Sequence, residues 1–346
     1  MPRSTLSYFK LPIIAFLAAV IVAGIFGGPL TSFLVANLAL LEISLSFDNA
    51  VVNAHVLESW DEKWRKRFLG LGIIVAVFGM RLLFPIMIVA VAGHMSPLGA
   101  LDLALNHSTQ YAEKLTSVHA EVSAFGGAFL AMLSLGYFFD AEKDNHWIAP
   151  LESMFAKFGQ VEAIQTALTV LALVVASLFM SEPTRLPFLS AGLVGIVTYV
   201  VTRAIAMVTA GPDVESKIIP AGIGGFLYLE ILDASFSFDG VLGAFALTTN
   251  IIWIAVGLGV GAFAVRELTM LAVDRKALAV FPYLENGAFW AILALAGMMI
   301  VAPAYDLPDV VKGLTGAALI LAALVTSLPS YLASLKTPSP AAVPAE

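Results

Sequence analysis

Two acids, Glu42 and Asp48, interrupt an apolar run that is long enough to cross a membrane, and Glu230, Asp233 and Asp239 interrupt a second such run far downstream. Lipid-length apolar segments narrow the choice of fold more than any other feature. Inside the hydrocarbon core no water satisfies backbone N–H and C=O groups, so only helices and closed barrels span it. A helix needs about 20 mostly apolar residues to do so. Segments of that kind run from Phe9 to Gly28, Thr31 to Leu57, Phe68 to His94, His119 to Phe139, Val161 to Ser181, Leu186 to Ala210, Pro220 to Leu247, Ile251 to Val273, Val280 to Pro303 and Val310 to Ser334. The expected fold class is all-α, a polytopic transmembrane helix bundle of about ten spans.

Composition agrees. Hydrophobic residues make up 60% of the chain and charged residues 12%, with a mean hydropathy of +0.92. A soluble domain carries about 25% charged residues, and a water-soluble fold of this chain would have to bury nearly every helix, which surface-to-volume scaling forbids. There is no cysteine, which excludes disulfides, thiolate metal sites and iron–sulfur clusters. No basic stripe supports nucleic-acid binding. The first apolar stretch follows Arg3 and Lys10 and exceeds the usual signal-peptide core, so it reads as a retained helix.

Basic residues set the expected orientation. With the N-terminus inside, the inner side collects Arg3, Lys10, Lys63, Arg65, Lys66, Arg67, Lys143, Lys157, Lys217, Arg275, Lys276 and Lys336, and the outer side only Lys114, Arg185 and Lys312. This bias favours an even number of spans and both termini in the cytoplasm; the expected location is the plasma (inner) membrane.

The two acidic runs align. Glu42-Ile-Ser-Leu-Ser-Phe-Asp48-Asn49 and Asp233-Ala-Ser-Phe-Ser-Phe-Asp239-Gly240 share acid, serine, serine, phenylalanine and aspartate in one register, and an arginine follows in the next span of each, Arg81 and Arg266. The expected organisation is therefore a duplication, with residues 1–185 and 186–336 as two five-helix repeats and 337–346 as a Pro/Ala-rich disordered tail. An odd number of spans per copy inverts the second motif relative to the first, the plan of many secondary transporters.

On one straight helix Asp48 lies about 120° round from Glu42, and Asp239 likewise from Asp233. Either acids meet from opposing helices, or the helix breaks near Phe-Asp-Asn or Phe-Asp-Gly. Acids at mid-membrane cost about 2.5–3.5 kcal/mol each on insertion scales, which favours a function for them. Candidate metal ligands are Glu42, Asp48, Glu230, Asp233 and Asp239, with Ser44, Ser46, Asn49, Ser235 and Ser237 as auxiliaries. Arg81 and Arg266 are expected to be structural or gating residues. Oxygen-only ligands suit Mn²⁺, Mg²⁺ or Ca²⁺. His55 reads as an interfacial residue, Glu285 as a solvated helix boundary, and Gly257-x-Gly259-x-Gly261 as close helix packing rather than a nucleotide fingerprint.

The motif Glu42-x5-Asp48-Asn49 resembles the first signature of the TerC family of integral membrane proteins. Glu230-Ile-Leu-Asp233-Ala-Ser-Phe-Ser-Phe-Asp239 resembles its second, with Gly240 where serine is common. Arg81 and Arg266 look like that family's intramembrane arginines. The resemblance covers Leu41 to Leu83 and Gly222 to Leu271 best, in a chain with an extra first helix and long second and third loops. It implies a role in Mn²⁺ export or homeostasis, with a link to tellurium-ion resistance.

No nucleophile elbow or zinc-protease motif occurs, so no enzyme is expected. The leading expectation is a transporter that exports a hard divalent cation, Mn²⁺ before Ca²⁺ or Mg²⁺, as its substrate and without a permanent cofactor. The alternative is a non-transporting membrane component of a metal or tellurium stress-resistance complex. Expected partners are the lipid bilayer, the divalent ion and, as an open option, further copies of the chain in a homo-oligomer.

Overall fold

The computed structural model describes residues 4–143, 145–161, 163–210, 219–305 and 307–336. The expected tail from Thr337, the break at Gly211 to Asp213, and the topology residues Arg3 and Lys217 lie outside the described residues. Helices α1 (Thr5–Gly27), α2 (Pro29–Leu45) and α3 (Phe47–Glu58) are followed by α4 (Glu62–Ile74), a π-helical segment (Val75–Leu83) and α5 (Phe84–Ala92), which continue one another. Next come α6 (Pro97–Asn106), α7 (Ser108–Ser117), α8 (His119–Phe138), α9 (Ala149–Phe158), α10 (Ile164–Ser177) and α11 (Glu182–Ala210). The chain ends with α12 (Ile223–Leu247), α13 (Ile251–Asp274), α14 (Ala277–Val280), α15 (Leu284–Tyr305) and α16 (Asp309–Lys336). Among the described residues there is no strand.

Local chemistry sets several of these boundaries. Gly28 takes a left-handed φ of 83° that ends α1, and Pro29 then opens α2, the position where a missing N–H costs nothing. Asp61 caps α4 through the Trp64 N–H, Ser96 caps α6 through the Gly99 N–H, and Asn250 caps α13 through the N–H groups of Ile252 and Trp253. Each cap satisfies a donor that the helix itself leaves orphaned.

Among the described residues, seven helices are long and apolar enough to cross a membrane, or up to eight with α2 and α3 taken as one bent span. All ten expected segments coincide with helices, but two of them differ from ordinary spans. Helix α10 has only 14 residues, short of the 20 or so that cross the hydrocarbon core. Helix α12 has 25 residues but carries Glu230, Asp233 and Asp239, which spoil its hydropathy. The two long expected loops are also partly helical: α6 and α7 fill the first, and α9 lies in the second.

Helix α8 is the axis of the bundle. Its residues from Ser123 to Leu135 are almost all buried, with α11, α12 and α15 packed round it. Helix α1, by contrast, turns Leu11, Ile14, Ile25 and Phe26 outward, as a lipid-facing helix does. The glycine run of α13 meets α2 and the π segment at close range. A Cβ added at Gly257 would fall 2.5 Å from the Leu38 Cβ, one at Gly259 2.9 Å from the Val77 Cγ1, and one at Gly261 2.5 Å from the Glu42 Cβ. Small residues here let backbones approach, as expected from the sequence. The packing also crosses over: α2 lies on α13, while α12 lies on the π segment. Both acidic motifs and both arginines are thereby drawn into one interior.

Candidate functional site

The first acidic helix breaks one residue before Phe47-Asp48-Asn49. Ser46 has φ −109° and ψ 15°, and α2 and α3 meet there at a bend of 51°. In an unbroken helix the Asn49 N–H would donate to the Leu45 carbonyl; here it donates to Asp48 Oδ1 at 2.9 Å. The break frees backbone oxygen at the end of α2 and seats Asp48 in the first turn of α3, where the helix dipole favours a carboxylate. The second motif differs. Helix α12 runs unbroken through Gly240, and a Cβ at that glycine would stand 3.4 Å from Glu42 Oε2. Gly240 therefore marks no break, and a side-chain methyl there would meet the acid of the other motif only at ordinary contact distance.

The arginines take most of the acids. Arg81, on the π segment, donates from Nη2 to Glu42 Oε1 and from Nη1 to Asp233 Oδ2 at 3.3 Å and to the Ala76 carbonyl at 2.7 Å. Ser46 Oγ also donates to Glu42 Oε1, at 3.0 Å, and Asn49 Nδ2 donates to Asp233 Oδ1, at 2.6 Å. π-Helical turns are frequent where a side chain must be re-aimed at a site. Arg266 Nη2 donates to Glu230 Oε1 at 3.1 Å and Oε2 at 3.3 Å, and Nη1 to the Phe68 carbonyl at 2.8 Å. The Arg266 guanidinium lies 4.1 Å from the centre of the Phe68 ring. A Cβ at Gly72 would fall 1.9 Å from Arg266 Nη1, so glycine at that position makes room for the pair.

The five acids expected to converge are thus divided. Glu42 and Asp233 share Arg81, Glu230 holds Arg266, and the side chain of Asp239 lies outside the description. Among the described residues, no group of three or more histidine and acidic side chains is placed to hold a metal ion. The physical reason is charge balance: a buried guanidinium is the nearest available counter-ion for a buried carboxylate. Of the auxiliaries, Ser44, Ser235 and Ser237 donate back to the carbonyls of Leu40, Ile231 and Asp233 on their own helices, a common resting place for a helical serine.

Asp48 stands apart. It is 6% exposed, and among the described residues no arginine pairs with it and Oδ2 accepts no hydrogen bond. It lines a cavity of ≈ 20 Å³ together with Ser44, Leu45, Phe236, Lys312 and Gly316, space for about one water-sized occupant. The side-chain amide oxygens (Oδ1) of Asn49 and Asn53, one turn apart on α3, are buried without a donor among the described residues. A buried acceptor without a donor is the signature of a missing water or ion.

Three features escaped the sequence reading. Lys312, assigned there to the outer-side charge, is 4% exposed and shares the Asp48 cavity. His55 Nδ1 lies 3.2 Å from Glu285 Oε1, so the two residues expected at boundaries form one pair. Glu152 is wholly buried and accepts from Lys143 Nζ at 2.6 Å, Asn286 Nδ2 at 2.8 Å, Trp290 Nε1 at 2.8 Å and the N–H groups of Trp147 and Ile148. Burial alone would raise its carboxyl, but the bonds from Lys143, Trp290 and Ile148 outweigh that and hold it below the ordinary glutamate range. This network ties the segment containing α9 to α15 and has the completeness of a structural clamp.

The family described as protein of unknown function (DUF475) has a model that matches residues 47–332, and the chain belongs to that family. The matched stretch opens at the first residue of α3, so it includes Asp48, Arg81, the acids of α12, Arg266 and Lys312 but not Glu42. No curated protein and no solved structure matches the chain.

Proposed function

We propose that this DUF475 protein is a membrane transporter for a hard divalent cation, Mn²⁺ first, with Asp48 at the α2–α3 break as its central ligand. The observation that carries this reading is a buried carboxylate beside a broken helix, facing a cavity of ionic size and, among the described residues, held by no arginine. Unwound backbone at membrane depth is tolerated where it lines a site or a water-filled path, and broken helices are where many transporters hold ions. The donors nearby are all oxygen: the Asp48 carboxylate, the Ser44 hydroxyl and the carbonyl of Leu45, which has lost its helical donor. Oxygen sets of this kind favour Mn²⁺, Mg²⁺ and Ca²⁺ over softer metals. The TerC-like motifs support Mn²⁺ and an outward direction, and the paired acidic motifs support an inverted repeat with Asp239 as the opposing ligand.

In this reading Arg81 and Arg266 hold Glu42, Asp233 and Glu230 as a charged frame that fixes α2, α12 and the π segment round the path. The same ion pairs favour the second reading, a non-transporting component of a stress-resistance complex in which buried charge only stabilises the bundle. Flux separates the two. Purified protein in liposomes should carry Mn²⁺ down its gradient, and Asp48→Asn should abolish the movement while leaving the helical circular dichroism unchanged. Equal flux in the variant and the parent would exclude Asp48 as the ligand, and no flux in the parent would favour the second reading.

A further inference from the structure

Glycine inside a helix costs stability relative to alanine, so an interior glycine needs a reason. Those of α13 have one in the neighbours they touch. Gly297, in the second half of α15, does not. It is exposed, and a Cβ added to it would meet nothing within 4 Å among the described residues. It opens onto a groove between α10 and α15, with Ala172, Ala176 and Phe179 on one wall and Gly297, Val301 and Tyr305 on the other. The groove holds ≈ 270 Å³, against ≈ 20 Å³ at Asp48, and among the described residues no charged side chain lines it. Its mouth lies where α10 and α15 both end, and there the Phe179 and Tyr305 rings stand 6.2 Å apart. From that mouth the lining runs back seven residues to Ala172 and eight to Gly297. This is about 10–12 Å of helix rise, less than half of a hydrocarbon core of about 30 Å.

We propose that this groove binds one acyl chain of a membrane phospholipid, with the headgroup phosphate at Arg185. The proposal does not depend on what Asp48 binds. Leu171, Val175 and Leu178 lie on one face of α10 and its end and are exposed, so that face borders lipid. The depth of the groove selects the occupant. A transmembrane helix of a second copy would run through the whole core, whereas a flexible chain enters at the interface and ends within one leaflet, as the groove does. Left empty, the walls would forfeit dispersion contacts. Arg185 supplies the polar end. Its Nε donates to the Ser177 carbonyl at 3.0 Å and its Nη2 to the Met180 carbonyl at 3.3 Å, residues that bracket Phe179. These bonds hold the guanidinium at the mouth end of α10. Nη1 donates to Glu182 Oε1 at 3.0 Å, but that carboxylate is 86% exposed and Arg185 itself 34%. Such a solvated pair is weak, and three bonds leave two of the five guanidinium N–H groups for a phosphate, which arginine matches in charge and geometry. Tyr305 closes the mouth with a side chain suited to the headgroup level.

The test is thermal unfolding of the full chain, delipidated in dodecyl maltoside micelles, with palmitoyl-oleoyl phosphatidylglycerol added in steps. The melting temperature of the parent should rise and level off, because a ligand that binds the folded state stabilises it. Gly297→Leu grows into open space, so without lipid it should melt no lower than the parent, and with lipid it should lose most of the rise. Ala172→Leu fills the groove from the other wall and should lose the rise too, so the test stands if one variant fails to fold. No rise in the parent, or a full rise in a folded groove-filling variant, overturns the proposal. Arg185→Gln should need several-fold more phosphatidylglycerol for half of the rise, but no more dioleoylglycerol, which has the chains without the phosphate. An unchanged demand for phosphatidylglycerol overturns Arg185 as the phosphate site. If light scattering shows the delipidated parent as an assembly that Gly297→Leu reduces to single chains, a second copy fills the groove and the lipid assignment falls.

Discussion

Arg81 and Glu42 should respond very differently to neutral substitution, although they bond to each other. Arg81 is 1% exposed and is the one guanidinium on both Glu42 and Asp233 among the described residues. In Arg81→Gln both carboxylates stay buried without it. Removing one partner of a buried ion pair costs about 3–5 kcal/mol. The second carboxylate, left buried without its guanidinium, adds to this. The expected loss for Arg81→Gln is therefore about 5 kcal/mol or more. Glu42→Gln leaves Arg81 paired with Asp233 and removes the surplus negative charge of the trio. It gives up part of one charge-assisted hydrogen bond, a loss of about 0–2 kcal/mol. Urea unfolding in mixed micelles, followed by tryptophan fluorescence, should rank the variants in that order. Adding Glu42→Gln to Arg81→Gln should recover part of the loss. Equal damage from the two single variants, or no recovery in the double, would show that the trio is not held together by charge.

Gly316→Ala should fold normally, since the added Cβ would make only ordinary contacts, 3.7 Å from Asp48 Oδ2 and 3.9 Å from the Ala291 Cβ, and alanine gains about 0.5–1 kcal/mol in a helix. Because the methyl group narrows the Asp48 cavity, Mn²⁺ flux in liposomes should nevertheless drop sharply; full flux would place the path elsewhere. Gly261→Ala should destabilise the bundle by about 1–3 kcal/mol, because the Cβ would fall 2.5 Å from the Glu42 side chain and 2.7 Å from the Ala39 carbonyl, and a melting temperature at the parent value would contradict the tight α2–α13 contact. Glu152 has a folded pKa below its ordinary value. Its contribution is then complete above the unfolded glutamate pKa and is lost as pH falls through the lower, folded one. Acid titration of melting temperature should show this loss in the parent and a flatter acid limb in Glu152→Gln.

Hydropathy made the helices legible because lipid leaves the backbone no alternative to internal pairing. Gly257, Gly259 and Gly261 declared close packing because a small residue at the interface has one consequence whichever partner it meets. The pairing of next-span arginines with the acidic motifs was likewise foreseeable from charge balance. Which motif breaks was not. Gly240 offered the permissive backbone, yet the break falls at Ser46, where the Asp48 carboxylate takes over the helical hydrogen bond of the Asn49 N–H. At Gly240 the helix runs on unbroken. Lys312 was hidden by its place at the start of a span, where a lysine normally marks the membrane surface; only packing against the α2–α3 break reveals it as interior. Glu152 was hidden because its partners come from two segments more than 130 residues apart.

A crystal grown with Mn²⁺ offers the most direct test of the cation site. Anomalous scattering should give a peak between α3 and α16 within coordination reach of Asp48, about 2.0–2.6 Å for hard cations on oxygen. The Asp48→Asn protein should lack it. Mn²⁺ bound only at exposed carboxylates, or bound equally in that variant, would contradict a transport site at the broken helix.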